Sequence, residues 1–370
     1  MRNRDLRVLL IGATGVFGRL IVEQLAAEDG VFTILAGRTL RTLADLHVQY
    51  PKSTTPYRLD RDKITRKEIK SLGIDVVIDA AGPFQNSDTK VIDASIMAGC
   101  HYIDLADGRD FVSKIHKFND CAAKRNVAAL SGASATPAFS NAVLDHVTRD
   151  WQEIDSISVA ICPGNKAPRG LSVVRGVFTY IGKSVRLFRG GKWTIAPGWG
   201  LTRFIKIPGL GTRLASLCET PDLDLFVERF KPKSEAIFYA GLELPPLHLG
   251  LVGFGLLVRW GLIRSLVPYA RQMLDLSLRL QRFGSDDGSM IVEAKGIDGN
   301  GTNTSAKWTL IAKDSVGPQV PTLAGIALIR RLRDGTLDFK GAAPCVGILT
   351  LEDFMDDLDR LNIKTALEIG

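Results

Sequence analysis

Three glycines early in the chain are spaced to hold a pyrophosphate. They stand in Gly12-Ala13-Thr14-Gly15-Val16-Phe17-Gly18, after the apolar run Leu6–Ile11 and ahead of a helical pattern reaching Glu28. Gly12 permits a tight exit from a strand, and Gly15 lets backbone N–H groups approach phosphate oxygens. Gly18 allows a helix to lie close on that strand. The helix start turns unpaired N–H groups and a positive dipole end towards the anion. Gly12, Thr14, Gly15, Val16, Phe17 and Gly18 form the expected contact set. After the next apolar run comes Gly37-Arg38-Thr39, where a site for NAD usually has Asp or Glu for the ribose 2′-hydroxyl. A guanidinium grips a 2′-phosphate through two parallel donors and a threonine hydroxyl adds another, so Arg38 and Thr39 predict NADP.

Groups able to move a proton cluster at His101, Tyr102, Asp104 and Asp107. Histidine titrates near neutrality and suits proton exchange. Strand alternation sends His101 and Tyr102 to opposite faces, and Asp104 and Asp107 equally read as a strand end and a helix cap. From Ser156 to Cys218 there is no Asp or Glu, against ten lysines and arginines. A solvated basic face is the default reading, with an anionic substrate or lipid surface as sharper ones. If the stretch lines the substrate cleft, Arg169 or Arg175 would suit a carboxylate, whose two oxygens match the guanidinium fork.

The elements that must position these groups alternate as strand and helix. Strands are expected near Leu6–Ile11, Phe32–Ala36, Pro56–Leu59, Asp75–Asp79, His101–Leu105 and Val127–Leu130, with helices between. That rhythm predicts a parallel sheet with helices on both faces and ligand beyond the carboxyl ends of the strands. The glycine loop, Ala80–Phe84 and the residues after Leu105 should face the cofactor. Beyond residue 134 the signals become hairpins, at Gly190-Gly191 and at Asp298-Gly299-Asn300-Gly301. The tail reads as two helices, Thr322–Arg333 and Leu351–Leu361. The fold class is therefore α/β: a doubly wound Rossmann sheet with an inserted α+β antiparallel-sheet domain. The expected division is 1–135 for the nucleotide domain, 136–318 for the insert and 319–370 for tail helices returning to the first domain.

At 370 residues the chain has room for two cores, and 45% apolar residues are those of a globular protein. Five scattered cysteines, without a C-x-x-C pair or a His/Cys cluster, predict no metal site and a reducing, cytoplasmic setting. The net charge of +7 comes without a nucleic-acid motif, so no such partner is expected. Leu247–Val258 is apolar but too short to span a bilayer, which takes about 20 residues. It reads as a buried or subunit-interface helix, ahead of attachment to a membrane surface.

The loop Gly12–Gly18, Ala36-Gly37-Arg38, Ala81-Gly82-Pro83-Phe84 and Ala98-Gly99-Cys100-His101-Tyr102-Ile103-Asp104-Leu105 together resemble the saccharopine dehydrogenase-like family of NADP-binding oxidoreductases. Phe283–Gly288 and the tail from Gly317 to Leu349 are also similar to it. The resemblance implies that Ala81, Gly82, Pro83 and Phe84 lie by the nicotinamide and that the middle region serves substrate binding and dimerisation. A homodimer acting on an imine, amine or carbonyl compound is the implied protein. The glycine loop also resembles short-chain dehydrogenases, but the Tyr-x-x-x-Lys pair is absent; Tyr180 and Lys183 are one residue too close. The remaining alternative is a non-enzymatic NADP-binding sensor or scaffold, which NADPH turnover would distinguish.

Overall fold

The computed structural model describes residues 4–370, so the first three residues of the expected nucleotide domain lie outside it. The chain divides into two compact units, residues 1–139 with 319–349, and residues 140–318 with 350–370.

In the first unit the apolar runs become β1 (Leu6–Ile11), β2 (Val31–Gly37), β3 (Thr54–Arg58), β4 (Val76–Asp79), β5 (His101–Asp104) and β6 (Ala128–Ser131). Near-continuous burial along β1 and β4 marks strands covered on both faces. Every pairing is parallel, in the order β6-β5-β4-β1-β2-β3, so the connections reverse direction between β1 and β4. Ligands of such sheets gather outside the carboxyl ends at that reversal. The sheet is extended beyond β6 by Gly341–Pro344, whose two alanines lie against Ala129 and Leu130.

The tail helix Val320–Asp334 joins the same unit beside the helix Val16–Ala26. Gln24 donates to Thr322 Oγ1 at 2.7 Å, and Glu28 accepts from Arg330 at 2.7 Å and from Arg333 at 2.9 Å.

The second unit is built on β7 (Glu153–Cys162), β8 (Ser184–Arg189), β9 (Lys192–Pro197), β10 (Arg203–Ile207), β11 (Gly211–Leu217), β12 (Glu235–Leu242), β13 (Gly288–Ile297) and β14 (Asn303–Ala312). Gly341–Pro344 is thus β15, and the last strand is β16 (Lys364–Ile369). The order is β10-β11-β12-β7-β13-β14-β16, with the β8–β9 hairpin on β12. The sheet is mixed, because β7 and β12 run parallel while the other pairs are antiparallel. Both expected hairpins form; Asp298 closes one by accepting the N–H groups of Asn300 and Thr302 at 2.9 Å.

Two expectations are corrected here. The tail does not return whole to the first unit: the helix Glu352–Arg360 belongs to the second, and β16 pairs with β14. Of the two readings of the apolar helix, Pro245–Arg259, as buried or at a subunit interface, burial within the chain fails: only His248, Leu251 and Gly255 are buried, and Leu249 and Phe254 stand exposed.

Four of the ten cations in the basic stretch are answered by distant carboxylates. Arg186 pairs with Asp224 at 2.7 Å, Arg189 with Glu235 at 3.2 Å and Arg203 with Glu293 at 3.0 Å. Arg213 is buried, 3.4 Å from Glu243, and donates to the carbonyls of Cys162 and Asp287 at 2.8 and 2.9 Å. Burial opposes the charge on Glu243. Hydrogen bonds from Ser285 and Asn165, with Arg213 beside it, outweigh that and lower its pKa. Removing one partner of such a pair costs roughly 3–5 kcal/mol. Arg213→Ala should lower the stability of this unit by about that much, read by urea denaturation. Tryptophan emission reports this unit alone, since all five tryptophans lie in it. An unchanged midpoint would mean that backbone donors suffice for Glu243.

Candidate functional site

At the carboxyl end of β1 the chain turns so tightly that each glycine is identifiable by what a side chain would strike. Gly12 has a φ of +83°, and a Cβ there would stand 3.0 Å from the Ala80 carbonyl carbon and the Ala81 nitrogen. A Cβ on Gly18 would lie 2.1 Å from the Gly12 carbonyl oxygen. These two glycines press the first helical turn onto β1 and the residues after β4. Gly15 differs: it is exposed, precedes the helix Val16–Ala26, and has a φ of −70° that any residue adopts. The first N–H groups of that helix lack intrahelical acceptors. Thr14, Val16 and Phe17 are half-buried around them, and no acidic residue occupies the first turn. This is a cradle for an anion approached through Gly15.

Arg38 and Thr39 follow the carboxyl end of β2. Both are exposed, and Arg38 makes no hydrogen bond or ion pair among the described residues. Thr39 precedes the helix Leu40–His47 but its side chain does not cap it. Both side chains are therefore uncommitted at the strand end.

The segment after β4 is set by a carboxylate. Asp79, fully buried, accepts the Ala81 N–H at 3.1 Å and the Arg61 Nε–H at 2.8 Å. Burial raises the Asp79 pKa, and the guanidinium offsets this in part. Arg61 also lies over the Phe84 ring, 5.8 Å from its centroid. Ala81 and Gly82 are half-buried and Pro83 is exposed. Phe84 is only 4% exposed and packs on Phe111 at 5.1 Å, so its side chain positions the segment and does not face a ligand. Phe84, expected with Ala81, Gly82 and Pro83 beside the nicotinamide, thus turns its ring into the core.

The four proton-handling candidates separate along β5. His101 opens the strand, roughly 10 Å from its carboxyl end at 3.3 Å per residue, and its Nδ1 accepts the Ala128 N–H at 2.9 Å. That places it at the wrong edge of a parallel sheet. Tyr102 is fully buried, and burial followed by the charge of Asp104 pushes its pKa well up, so it stays neutral and sealed. Asp104 is fully buried too. Its Oδ1 accepts from Ala106 N at 2.9 Å, Gly132 N at 2.8 Å and Ser131 Oγ at 3.0 Å, tying together the loops after β5 and β6. His101, Tyr102 and Asp104 are thus corrected from catalytic candidates to framework residues. Asp107 alone has exposed surface, at the carboxyl edge; its carboxyl is nonetheless crowded enough by protein that burial raises its pKa, offset in part by the hydrogen bond its Oδ1 accepts from Gln85 Nε2 at 3.0 Å. A Cβ on Gly108 would stand 3.1 Å from the Gln85 nitrogen, so the glycine lets Asp107 lie next to the Ala81–Phe84 segment.

Arg169 and Arg175 belong to the second unit. Arg169 folds back onto the carbonyl of Asn165, while Arg175 is exposed on the helix Leu171–Phe178. Sequence reasoning missed Arg61, Asp79 and Gln85. A carboxylate ending the apolar Val76–Asp79 was the available signal; nothing local pointed to Arg61.

Burial pushes the Asp104 pKa up to about 6. The folded state therefore holds this proton after the unfolded chain, near 3.9, has lost it. Stability from this group is full below pH 4 and falls as pH rises to 6, by on the order of 2–3 kcal/mol. The stability difference between Asp104→Asn and the parent should move in the variant's favour over that window, followed by circular dichroism. A difference constant from pH 4 to 7 would mean an ordinary carboxyl.

Residues 8–135 match the family described as the saccharopine dehydrogenase NADP binding domain. No curated protein matches the chain in sequence. Among solved structures, apo saccharopine dehydrogenase (L-Glu forming) from Saccharomyces cerevisiae is 14% identical with a TM-score of 0.72, over 98% of this chain and 99% of that one. An amine dehydrogenase from Mycobacterium smegmatis is 10% identical, covering 94% and 96% of the two chains at a TM-score of 0.48. A probable dehydrogenase from Thermotoga maritima is 12% identical, covering 94% and 92% at 0.47. The yeast likeness shows a shared fold, an α/β chain with a parallel Rossmann-like sheet and a second mixed sheet; the two weaker ones add nothing to it. Residues 8–135, with the glycine cradle at the head of the first helix, are thus similar to the saccharopine dehydrogenase NADP binding domain family, and the likeness over the whole chain is one of fold.

Proposed function

We propose that this chain is an NADP-dependent oxidoreductase of saccharopine dehydrogenase type, moving hydride to or from an imine, amine or carbonyl substrate that carries an anionic group. The observation that carries the cofactor reading is Arg38: an exposed, unpaired guanidinium where an NAD site would have a carboxylate. With Thr39 it would hold the 2′-phosphate, while the N–H groups around Gly15 hold the pyrophosphate and Ala81–Pro83 border the nicotinamide. The bound cofactor supplies the hydride chemistry. The protein's part is to orient the substrate and exchange a proton, and Asp107 has the exposure for the second task. Arg175, uncommitted on its helix, supports capture of an anionic substrate better than Arg169 does.

NADPH should bind more tightly than NADH, and Arg38→Ala should remove most of that preference. Losing a charge-assisted contact costs roughly 1.5–3 kcal/mol, about tenfold to a hundredfold in affinity. Equal ratios of the two dinucleotides for parent and variant, by fluorescence titration, would sink the assignment.

Gly15→Val should abolish dinucleotide binding in a chain that still folds. Its backbone angles suit valine, and the Cβ meets only the Gly12 carbonyl oxygen, at 3.2 Å. Normal cofactor binding by a folded Gly15→Val protein would move the pyrophosphate elsewhere. NADPH oxidation with any imine or carbonyl compound separates the enzyme from a dinucleotide-binding scaffold.

A further inference from the structure

Nine large apolar side chains stand exposed between Leu249 and Phe283, and they include Leu249, Phe254, Trp260 (66%), Leu262 (72%), Tyr269 and Phe283. The helix Pro245–Arg259 fixes only one face to its own unit. His248 is fully buried there, with its Nε2 2.8 Å from Ser216 Oγ, and Leu251 and Gly255 follow on the same side. The rest of the helix bears no charge before Arg259, and a Cβ on Gly250 or Gly253 would meet open space. Water is a poor neighbour for such a surface: apolar area costs roughly 25 cal/mol per Å² exposed. Exposed apolar patches of this kind mark interaction sites.

The charges between Leu244 and Ser285 select the partner. The segment has five arginines, Arg259, Arg264, Arg271, Arg279 and Arg282, and one acid, Asp275. All five arginines are exposed, and none forms an ion pair among the described residues. A second copy docked through the same patch would bring one set of five arginines up to another, since a two-fold contact uses the same surface on both partners. Only Asp275 would answer them. A layer of anionic headgroups over hydrocarbon complements both features, with arginines at the phosphates, Trp260 and Tyr269 at the boundary and leucines beneath. No helix among the described residues is long and apolar enough to cross a membrane, so the contact is with one surface.

We propose that the segment Leu244–Phe283 docks this protein on an anionic lipid surface. Sedimentation of the full chain with phosphatidylcholine vesicles, with and without phosphatidylglycerol, tests it. The protein should pellet with the anionic vesicles only, and less as salt rises and the screening length shortens from about 10 Å at 0.1 M to about 3 Å at 1 M. Neutralising Arg259→Gln with Arg264→Gln should weaken partition by about twenty-five-fold, near fivefold per arginine. Trp260→Glu with Leu262→Glu should abolish it, and circular dichroism should be unchanged because both side chains are exposed. Absence of pelleting, equal pelleting on neutral vesicles, or pelleting indifferent to Trp260→Glu with Leu262→Glu would each overturn the proposal. So would a dimer in sedimentation velocity that these two changes split, in a protein that ignores vesicles; the second copy would then be the occupant.

Discussion

The first unit depends on how closely one helix can approach one strand. With no atom on Gly18 beyond hydrogen, the first turn of Val16–Ala26 settles against the Gly12 carbonyl, and that turn fixes where its free N–H groups point. The same approach brings Gly12 onto Ala80 and Ala81, so the segment after β4 is bounded on one side by backbone. Asp79 bounds it from beneath, through Ala81 and Arg61. A dinucleotide held here, as proposed, would therefore meet mostly main chain. Buried charge enters only where it holds a loop in place.

In the second unit the corresponding role falls to the buried Arg213 and the half-buried Glu243. Arg213 gathers the carbonyls of Cys162, Pro163 and Asp287, and Glu243 gathers the N–H groups of Asn165 and Ser285. Loops that cannot pair in the sheet thus find partners in two side chains that neutralise each other. Isolated in hydrocarbon either would be prohibitive; together, with their donors and acceptors filled, they specify one loop arrangement.

Much of this was legible in the sequence, and the limits have physical reasons. The glycine cradle, β1 to β6 and both hairpins follow from local periodicity and turn chemistry, which act over a few residues. β15 reads Gly-Ala-Ala-Pro, without a β-branched residue, and becomes a strand only because β6 offers an edge. Four of the ten cations are answered by Asp224, Glu235, Glu293 and Glu243, all outside the counted stretch, which a count along the chain does not register. Candidate acids and bases were judged by residue type, whereas strand polarity and burial decided among them: His101 begins β5, Asp104 ends it inside the core, and Asp107 alone emerges.

The interleaving of the two units bears on how the protein is made. β6 ends at Ser131 and its outer neighbour begins at Gly341, so a ribosome adding 5–20 residues per second leaves that edge open for roughly 10–40 s. During that time the nascent sheet presents a row of unpaired backbone groups to any strand nearby. β14 waits in turn for Lys364–Ile369. Neither sheet is complete when its first strands emerge, and both finish almost together. Biogenesis of this protein is thus a timing problem, in which both sheets expose an edge until the last part of the chain arrives.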